Sequence, residues 1–562
     1  MDRSRLLLAL LPFLLQAQGL TVTPKTLKLL QPEGGPIACA AIAIEASGAA
    51  AQSWTATAST PNPEDPWIEL HAPSGTTPGR LIVTIVGWRG AERKPGKYSG
   101  KITIHAGEAV ENVPVEWEVR PALPAAPVSS LAGLAGCTKA EGYPDLPLCR
   151  LLPLPGILGS PVAGAAYTDP NFGAHVRVLT APKSNHPYST PTALSARNRY
   201  IVTTESNGSF NVLDTANGRP LVRGAHCNQG CFWDAFDDET YYSIDKAAIL
   251  KHEVRGNKTS VLIDYAKQPD PLHEILRGGT GDTSKDNWVS FWAPDEKQIC
   301  ALDIPHLKTY CADYGASQRR LKYGDVDFTL ITKGADKQNG KRYVMLIAQP
   351  AMGIFSVDTE RGVLRPEFRG PENLERDGNK DGKCDPGERC MVGSHLDTLE
   401  DSAGIQYLVE NQETSSPCEF ALFTFQINKG IDMTKRVELG GGRRRVMTLW
   451  RCGPGWVDEH IACAKSSPYC VISTQSVARR EGDLSEVTPT PHAGEIILMR
   501  GNGEEIKRIA MSRTVLFAGQ GDNNYWAAPR AAISNDASLV VSDTNFGTPL
   551  AARVTLIETG VR

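Results

Sequence analysis

From residue 161 to its end at residue 562, this chain alternates short β-forming runs with tight polar turns. Almost no stretch keeps the 3.6-residue apolar period of a helix over three turns. Arg199–Thr204 is followed by Ser209–Asp214 and the turn Thr215–Gly218. Tyr343–Ala348 is followed by Gly353–Gly362, and Glu495–Gly503 by Ser538–Ser542. A run ending in Asp and then turning through Asn-Gly or Arg-Gly is a hairpin signal. The chain also echoes itself from end to start. Asp169-Pro170-Asn171-Phe172-Gly173 precedes the run His175–Thr180, and Asp543-Thr544-Asn545-Phe546-Gly547 precedes Arg553–Glu558. Similar pieces at both ends suit a cyclic array in which the last unit meets the first.

In these repeats and this echo the region 161–562 resembles a β-propeller of the broad TolB/WD40-like kind. Radial repetition is one way an all-β chain avoids exposed sheet edges. The spacing gives about seven units, each long for a blade.

Residues 20–120 read as a separate unit. Apolar and polar residues alternate in Leu81–Val86, Ser99–Ile104 and Val113–Val119, with Gly and Pro punctuating the runs as in a β-sandwich. The series Ser53-Trp54-Thr55-Ala56, Pro66–Leu70, Gly75-Thr76-Thr77-Pro78 and Pro95–Gly100, closing on Val113-Pro114-Val115, is similar to a BACON-type immunoglobulin-like domain. That resemblance implies an Ig-like sandwich of the kind found N-terminal in secreted bacterial proteins and linked to carbohydrate binding. Trp54 and Trp67 are expected in its core, since tryptophan is highly buried on average. Residues 121–160, rich in Pro and Gly, read as a linker. The fold class expected is therefore all-β, an Ig-like sandwich followed by a propeller of about seven blades.

Residues 377–388 fit a calcium loop of the EF-hand type. Oxygen ligands are expected from Asp377, Asn379, Asp381, Asp385 and Glu388, a backbone carbonyl from Lys383, and the sharp turn from Gly382. Ca²⁺ takes six to eight oxygens, and a short loop with oxygens at alternate positions can wrap it. Pro386-Gly387 ahead of Glu388 argue against a full exiting helix.

Export is expected from the N-terminus. Arg3 and Arg5 precede the apolar run Leu6–Leu15 and a cleavage-like Ala17-Gln18-Gly19. Residues 1–19 therefore read as a signal peptide, and the mature chain as secreted, periplasmic or extracellular. No run is long and apolar enough for a membrane span. The formal net charge of −4 leaves no basic footprint for nucleic acid. The 13 cysteines suit an oxidising compartment. Short staples are expected at Cys137/Cys149, Cys227/Cys231, Cys300/Cys311, Cys384/Cys390 and Cys463/Cys470. Cys418 and Cys452 are candidates for a further pair, leaving Cys39. The alternative for His226, Cys227 and Cys231 is zinc, although no second matching pair follows.

Hydrolytic signatures are sparse: neither G-x-S-x-G nor H-E-x-x-H occurs. Trp456–His460 and Tyr525–Arg530, with the turn Ser534–Ala537, look similar to segments of oligogalacturonate-lyase-like propellers. Those enzymes hold a metal on histidines, including a His-x-His pair in a late blade. The corresponding stretch here reads Pro529-Arg530-Ala531, without histidine. No catalytic residue is nominated. His395 and His460 are expected as polar residues on the propeller axis. Trp526 and Arg530 are candidates for a sugar acid, by stacking and by pairing with a carboxylate. The function expected is a calcium-stabilised binding or scaffold protein for a carbohydrate or a cell-envelope partner. The rival is a polysaccharide-active enzyme, an oligogalacturonate-lyase-like protein or a hydrolase, working on the propeller axis.

Overall fold

The computed structural model describes residues 19–561, except 33–38, 47–50, 64–65, 72, 86–95, 121–136, 141–142, 150–151, 153, 155–160, 191, 228–229, 277–282, 315–327, 349–350, 370–394, 414–418, 430–442, 452–457, 476, 479–491, 493, 515, 518–527 and 547–551. Residues 1–18 of the expected signal peptide, the expected calcium loop 377–388, Trp526 and the cysteines Cys384, Cys390, Cys418 and Cys452 lie outside the described residues.

The N-terminal strands form two sheets. One orders Leu20–Thr23, Cys39–Ala46, Gly79–Ile85 and Ile68–His71. The other orders Leu27–Pro32, Ala109–Arg120, Gly96–Ala106, Ser53–Ser59 and Ser74–Thr76. Alternate residues of each sheet meet in one core. Val113, Val115, Trp117 and Val119 come from the second sheet, and Ile42, Ile44, Leu81 and Val83 from the first. This is the period-2 pattern of strands with one buried face. Trp54 and Trp67 are both in this core. Gly75 is needed beneath Trp54, because a Cβ there would stand 2.8 Å from the indole Cζ2.

The segment that follows is not all extended connector. Cys137–Ala140 pairs antiparallel with Tyr143–Cys149, and Cys137 lies opposite Cys149 in the register.

Among the described residues the remaining strands make seven blades in six sheets, beside a parallel pair of short strands, Val477–Ala478 and Leu516–Phe517. Blade 1 holds Ser184–Asn185, Tyr200–Glu205, Phe210–Asp214 and Pro220–Ala225. Blade 2 holds Phe232–Trp233, Thr240–Asp245, Ala248–Glu253 and Lys258–Asp264. Blade 3 (Trp288–Ala293, Gln298–Asp303, Lys308–Asp313) and blade 4 (Phe328–Ile331, Tyr343–Ala348, Ala351–Asp358, Val363–Arg369) merge into one seven-stranded sheet through the parallel pair Cys311–Val363. Blade 5 holds Leu396–Glu400, Gln406–Glu413, Glu419–Gln426 and Arg443–Arg451. Blade 6 holds Asp458–Cys463, Tyr469–Gln475, Glu495–Arg500 and Glu505–Met511. Blade 7 closes the circle. Its strands Ala532–Ile533, Leu539–Thr544 and Arg553–Glu558 are completed by His175–Val178 and Ala166–Thr168 from the start of the propeller. The two Asp-x-Asn-Phe-Gly segments thus belong to one blade.

Hydrogen bonds between innermost segments run through all seven neighbouring pairs. Thr192 Oγ1 donates to the Ile533 carbonyl (2.8 Å), Trp233 Nε1 to Ala193 (2.8 Å) and Thr283 Oγ1 to Trp233 (3.0 Å). Lys285 N donates to Lys333 O (2.9 Å) and Thr398 Oγ1 to Ile331 O (2.9 Å). Cys463 N donates to Asp397 Oδ2 (2.7 Å), and Ser466 N to Asn535 O (2.9 Å). Buried polar groups so paired avoid a desolvation cost of about 1–3 kcal/mol each.

One end of the axis is drawn together by lysines. Lys465 of blade 6 donates to Thr283 Oγ1 of blade 3 at 2.5 Å. Those blades are not neighbours, so the bond crosses the axis. Lys333 is paired with Asp397 at 3.1 Å, both buried. At this end the inner strands turn into the second strands through a recurring cap. Ser195 Oγ accepts from Tyr200 N, Ser284 Oγ from Trp288 N, Thr332 Oγ1 from Tyr343 N and Ser534 Oγ from Leu539 N.

Among the described residues, three disulfides link Cys227–Cys231, Cys300–Cys311 and Cys463–Cys470. Each joins a sequence pair expected as a staple. The first removes the two thiolates that zinc would need beside His226.

Candidate functional site: the histidine end of the propeller axis

The inner strands begin at the end of the axis opposite the lysines, and four consecutive blades bring side chains together there. His395 immediately precedes the inner strand of blade 5. His460 lies on that of blade 6, Arg530 just ahead of that of blade 7, and Tyr188 three residues after Asn185, the end of the innermost strand of blade 1. The two imidazoles stack with centroids 4.0 Å apart and planes at 30°. Tyr188 meets His460 edge-on at 5.6 Å, and the Arg530 guanidinium stands 6.0 Å from the Tyr188 ring. His395, named from sequence as an axial residue, is half-buried, and His460 is buried.

Glu459 approaches the stack from the neighbouring position on blade 6. Its Oε1 is 4.0 Å from His395 Nδ1 and accepts from Asn411 Nδ2. Asn411 in turn accepts from His395 N at 3.5 Å. Burial holds the His460 imidazole well below the usual histidine range, and the positive charges of His395, Arg530 and His186 push the same way. The ring is therefore neutral near pH 7, with one nitrogen able to donate and one to accept.

Arg530 is fully buried. Its Nη2 donates to Asp543 Oδ2 at 2.9 Å. Asp543 also faces His186, with Oδ2 3.0 Å from Nδ1 and Oδ1 accepting from the backbone N at 3.0 Å. The Arg530 carbonyl lies 2.7 Å from His186 Nε2. Its backbone is left-handed, with φ 31°, a conformation uncommon outside glycine. Asp543 thus fixes both Arg530 and the segment that carries Tyr188. In this geometry the guanidinium serves the seam between blades 7 and 1.

Tyr188, His186, Asp543, Glu459 and Asn411 were not singled out from sequence. No local motif marks them, since they converge from four blades. Two lay in segments named from sequence: Asp543 opens the second Asp-x-Asn-Phe-Gly segment, and Glu459 falls within Trp456–His460. Among the described residues, no group of three or more His, Cys, Asp or Glu is placed to hold a metal ion.

No known family matches the sequence, and no curated protein matches it. Solved structures similar to the chain include an oligogalacturonate lyase in complex with manganese. It has a TM-score of 0.42 and 11% identity, over 71% of this chain and 96% of that one. An oligogalacturonate lyase from Vibrio parahaemolyticus has a TM-score of 0.40 and 8% identity, over 71% and 97%. The β-propeller domain of Myceliophteria thermophila Cps50 (Swd1) has 0.35 and 9%, over 68% and 98%.

Proposed function

We propose that this chain is an exported, calcium-stabilised carbohydrate-binding protein. In this reading a BACON-type Ig-like domain accompanies a propeller that takes its ligand at the histidine end of the axis. The observation that supports it most is the His395–His460–Tyr188 cluster flanked by Glu459 and Asn411. Aromatic faces and edges suit the apolar face of a sugar ring, and carboxylate and amide oxygens accept its hydroxyls. Arg530, the residue suited to an acidic sugar, is already bonded to Asp543. That commitment favours a neutral sugar unit over a uronate.

Export rests on the leader pattern of residues 1–19 and fits the disulfides. No helix among the described residues is long and apolar enough to cross a membrane. The calcium proposal rests on the donor set of residues 377–388, which are hard oxygens at the required spacing. That loop falls between Arg369 of blade 4 and His395, so its C-terminal side leads into the cluster.

Calorimetry of the mature chain against neutral and acidic oligosaccharides tests the reading. Neutral oligosaccharides should bind, and His395→Ala should weaken binding at least tenfold with the melting temperature unchanged. Full binding by His395→Ala and Tyr188→Ala variants would refute the site. Release of new reducing ends during the titration would move the assignment to a polysaccharide-active enzyme.

A further inference from the structure

Between the two sets of strands the chain reads Leu151-Leu152-Pro153-Leu154-Pro155. Prolines at alternate positions remove every second N–H and bias the residues before them towards extended backbone. Leu152 retains both backbone groups, and the propeller binds both. Its N–H donates to Asn171 Oδ1 at 3.1 Å, and its carbonyl accepts from Arg513 Nη1 at 2.9 Å. Two residues on, Leu154 packs against the apolar cluster between blades 6 and 7, which includes Tyr167, Ile509, Ala510 and Phe546.

The receiving side chains are themselves held. Arg513 is buried and lies 5.7 Å from the Tyr167 ring, with Nη2 3.5 Å from Asp169 Oδ2. Asp169 Oδ1 accepts from the backbone N–H groups of Asn171 and Phe172 at 3.0 and 2.9 Å. Its Oδ2 accepts from Met511 N at 3.2 Å. One Asp therefore positions both the Asn and the Arg that read Leu152. This explains the first Asp-x-Asn-Phe-Gly segment, which the ligand site leaves unused. Side-chain donors and acceptors on an extended backbone, with an aromatic ring and an apolar pocket for a leucine, are the elements by which proline-rich segments are recognised.

We infer that the seam between blades 6 and 7 is a docking groove for the chain's own proline-flanked leucines, Leu152 and Leu154, which occupy it in cis. The consequence is a tether. The chain leaving the N-terminal strands is pinned to the propeller at Leu152 and Leu154. The inference is independent of the ligand proposed above.

Hydrogen exchange on the full mature chain tests it. Pro153 and Pro155 carry no amide hydrogen, so a peptide over residues 150–155, whose first two amides exchange back during analysis, reports on Leu152 and Leu154. In the parent protein its exchange should be slowed. Asn171→Ala or Leu154→Ala should speed it roughly tenfold or more, the order expected for losing a buried bond. Peptides of blade 3 should be unchanged, which separates loss of the tether from general unfolding. Free exchange of this peptide in the parent protein, or unaltered protection in both variants, would overturn the inference.

Discussion

Two buried histidines set an acid limit on this fold. His460 is neutral for the reasons given above. His252 is pushed down to about 4, first by burial and then by the charge of His226. Its ring stacks on Tyr241 at 4.6 Å and bonds Ser243 Oγ and Thr259 Oγ1 at 2.8 and 2.9 Å. In the unfolded chain both imidazoles take up protons near 6.5, whereas the folded chain resists doing so. The stability they supply is therefore complete above 6.5 and falls as the pH drops towards 4. A proton bound only by the unfolded chain costs about 1.4 kcal/mol per pH unit. Urea midpoints measured at about pH 7 and about pH 5 should show this loss, and His460→Gln or His252→Asn should each reduce it. An unchanged pH slope in both variants would contradict the assignment. At this scale the sequence was legible where chemistry is local. Tryptophan's bulk placed Trp54 and Trp67 in a core, and axial polarity pointed to His395 and His460. Tyr188, His186 and Asn411 carry no local mark, because their role comes from convergence of blades distant in sequence.

The strands and turns were largely legible, because a period of two and Asn-Gly punctuation are written into consecutive residues. Less visible was the cap that ends several inner strands. In Ser284-Lys285-Asp286 and Ser534-Asn535-Asp536 the serine also donates to the aspartate, and the pattern recurs only loosely elsewhere. The short cysteine spacings were informative for a related reason. Cys300/Cys311 and Cys463/Cys470 face each other directly across antiparallel pairs. The proposed calcium loop belongs to this scale too. Without an ion its four carboxylates would repel one another, and an isolated loop would have no partner hand to open, so the role proposed for it is structural. Extracellular sites bind at about 10⁻⁴–10⁻³ M, and at 100 times Kd the ion adds about 2.7 kcal/mol. Chelation should therefore lower the melting temperature, and Asp377→Ala with Glu388→Ala should abolish that effect. Calorimetry finding no calcium binding at ~10 mM would defeat the proposal.

At the scale of the whole molecule the two ends of the axis differ. One end is tied by Lys465, Lys333 and the serine caps. At the other stand His395, His460 and Arg530, on or just ahead of the inner strands of blades 5, 6 and 7. The ligand proposed above would sit at this end. The cyclic closure was legible in the echo of Asp169–Gly173 and Asp543–Gly547. The cross-axial Lys465 bond was not, because blades 3 and 6 meet only once the ring is closed. Hydrogen exchange with and without a bound neutral oligosaccharide tests this account most directly. It predicts slowed exchange in peptides containing Tyr188, His395 and His460, with the turns at Ser195, Ser284 and Ser534 unchanged. Protection confined to those turns or to residues 20–120 would contradict it.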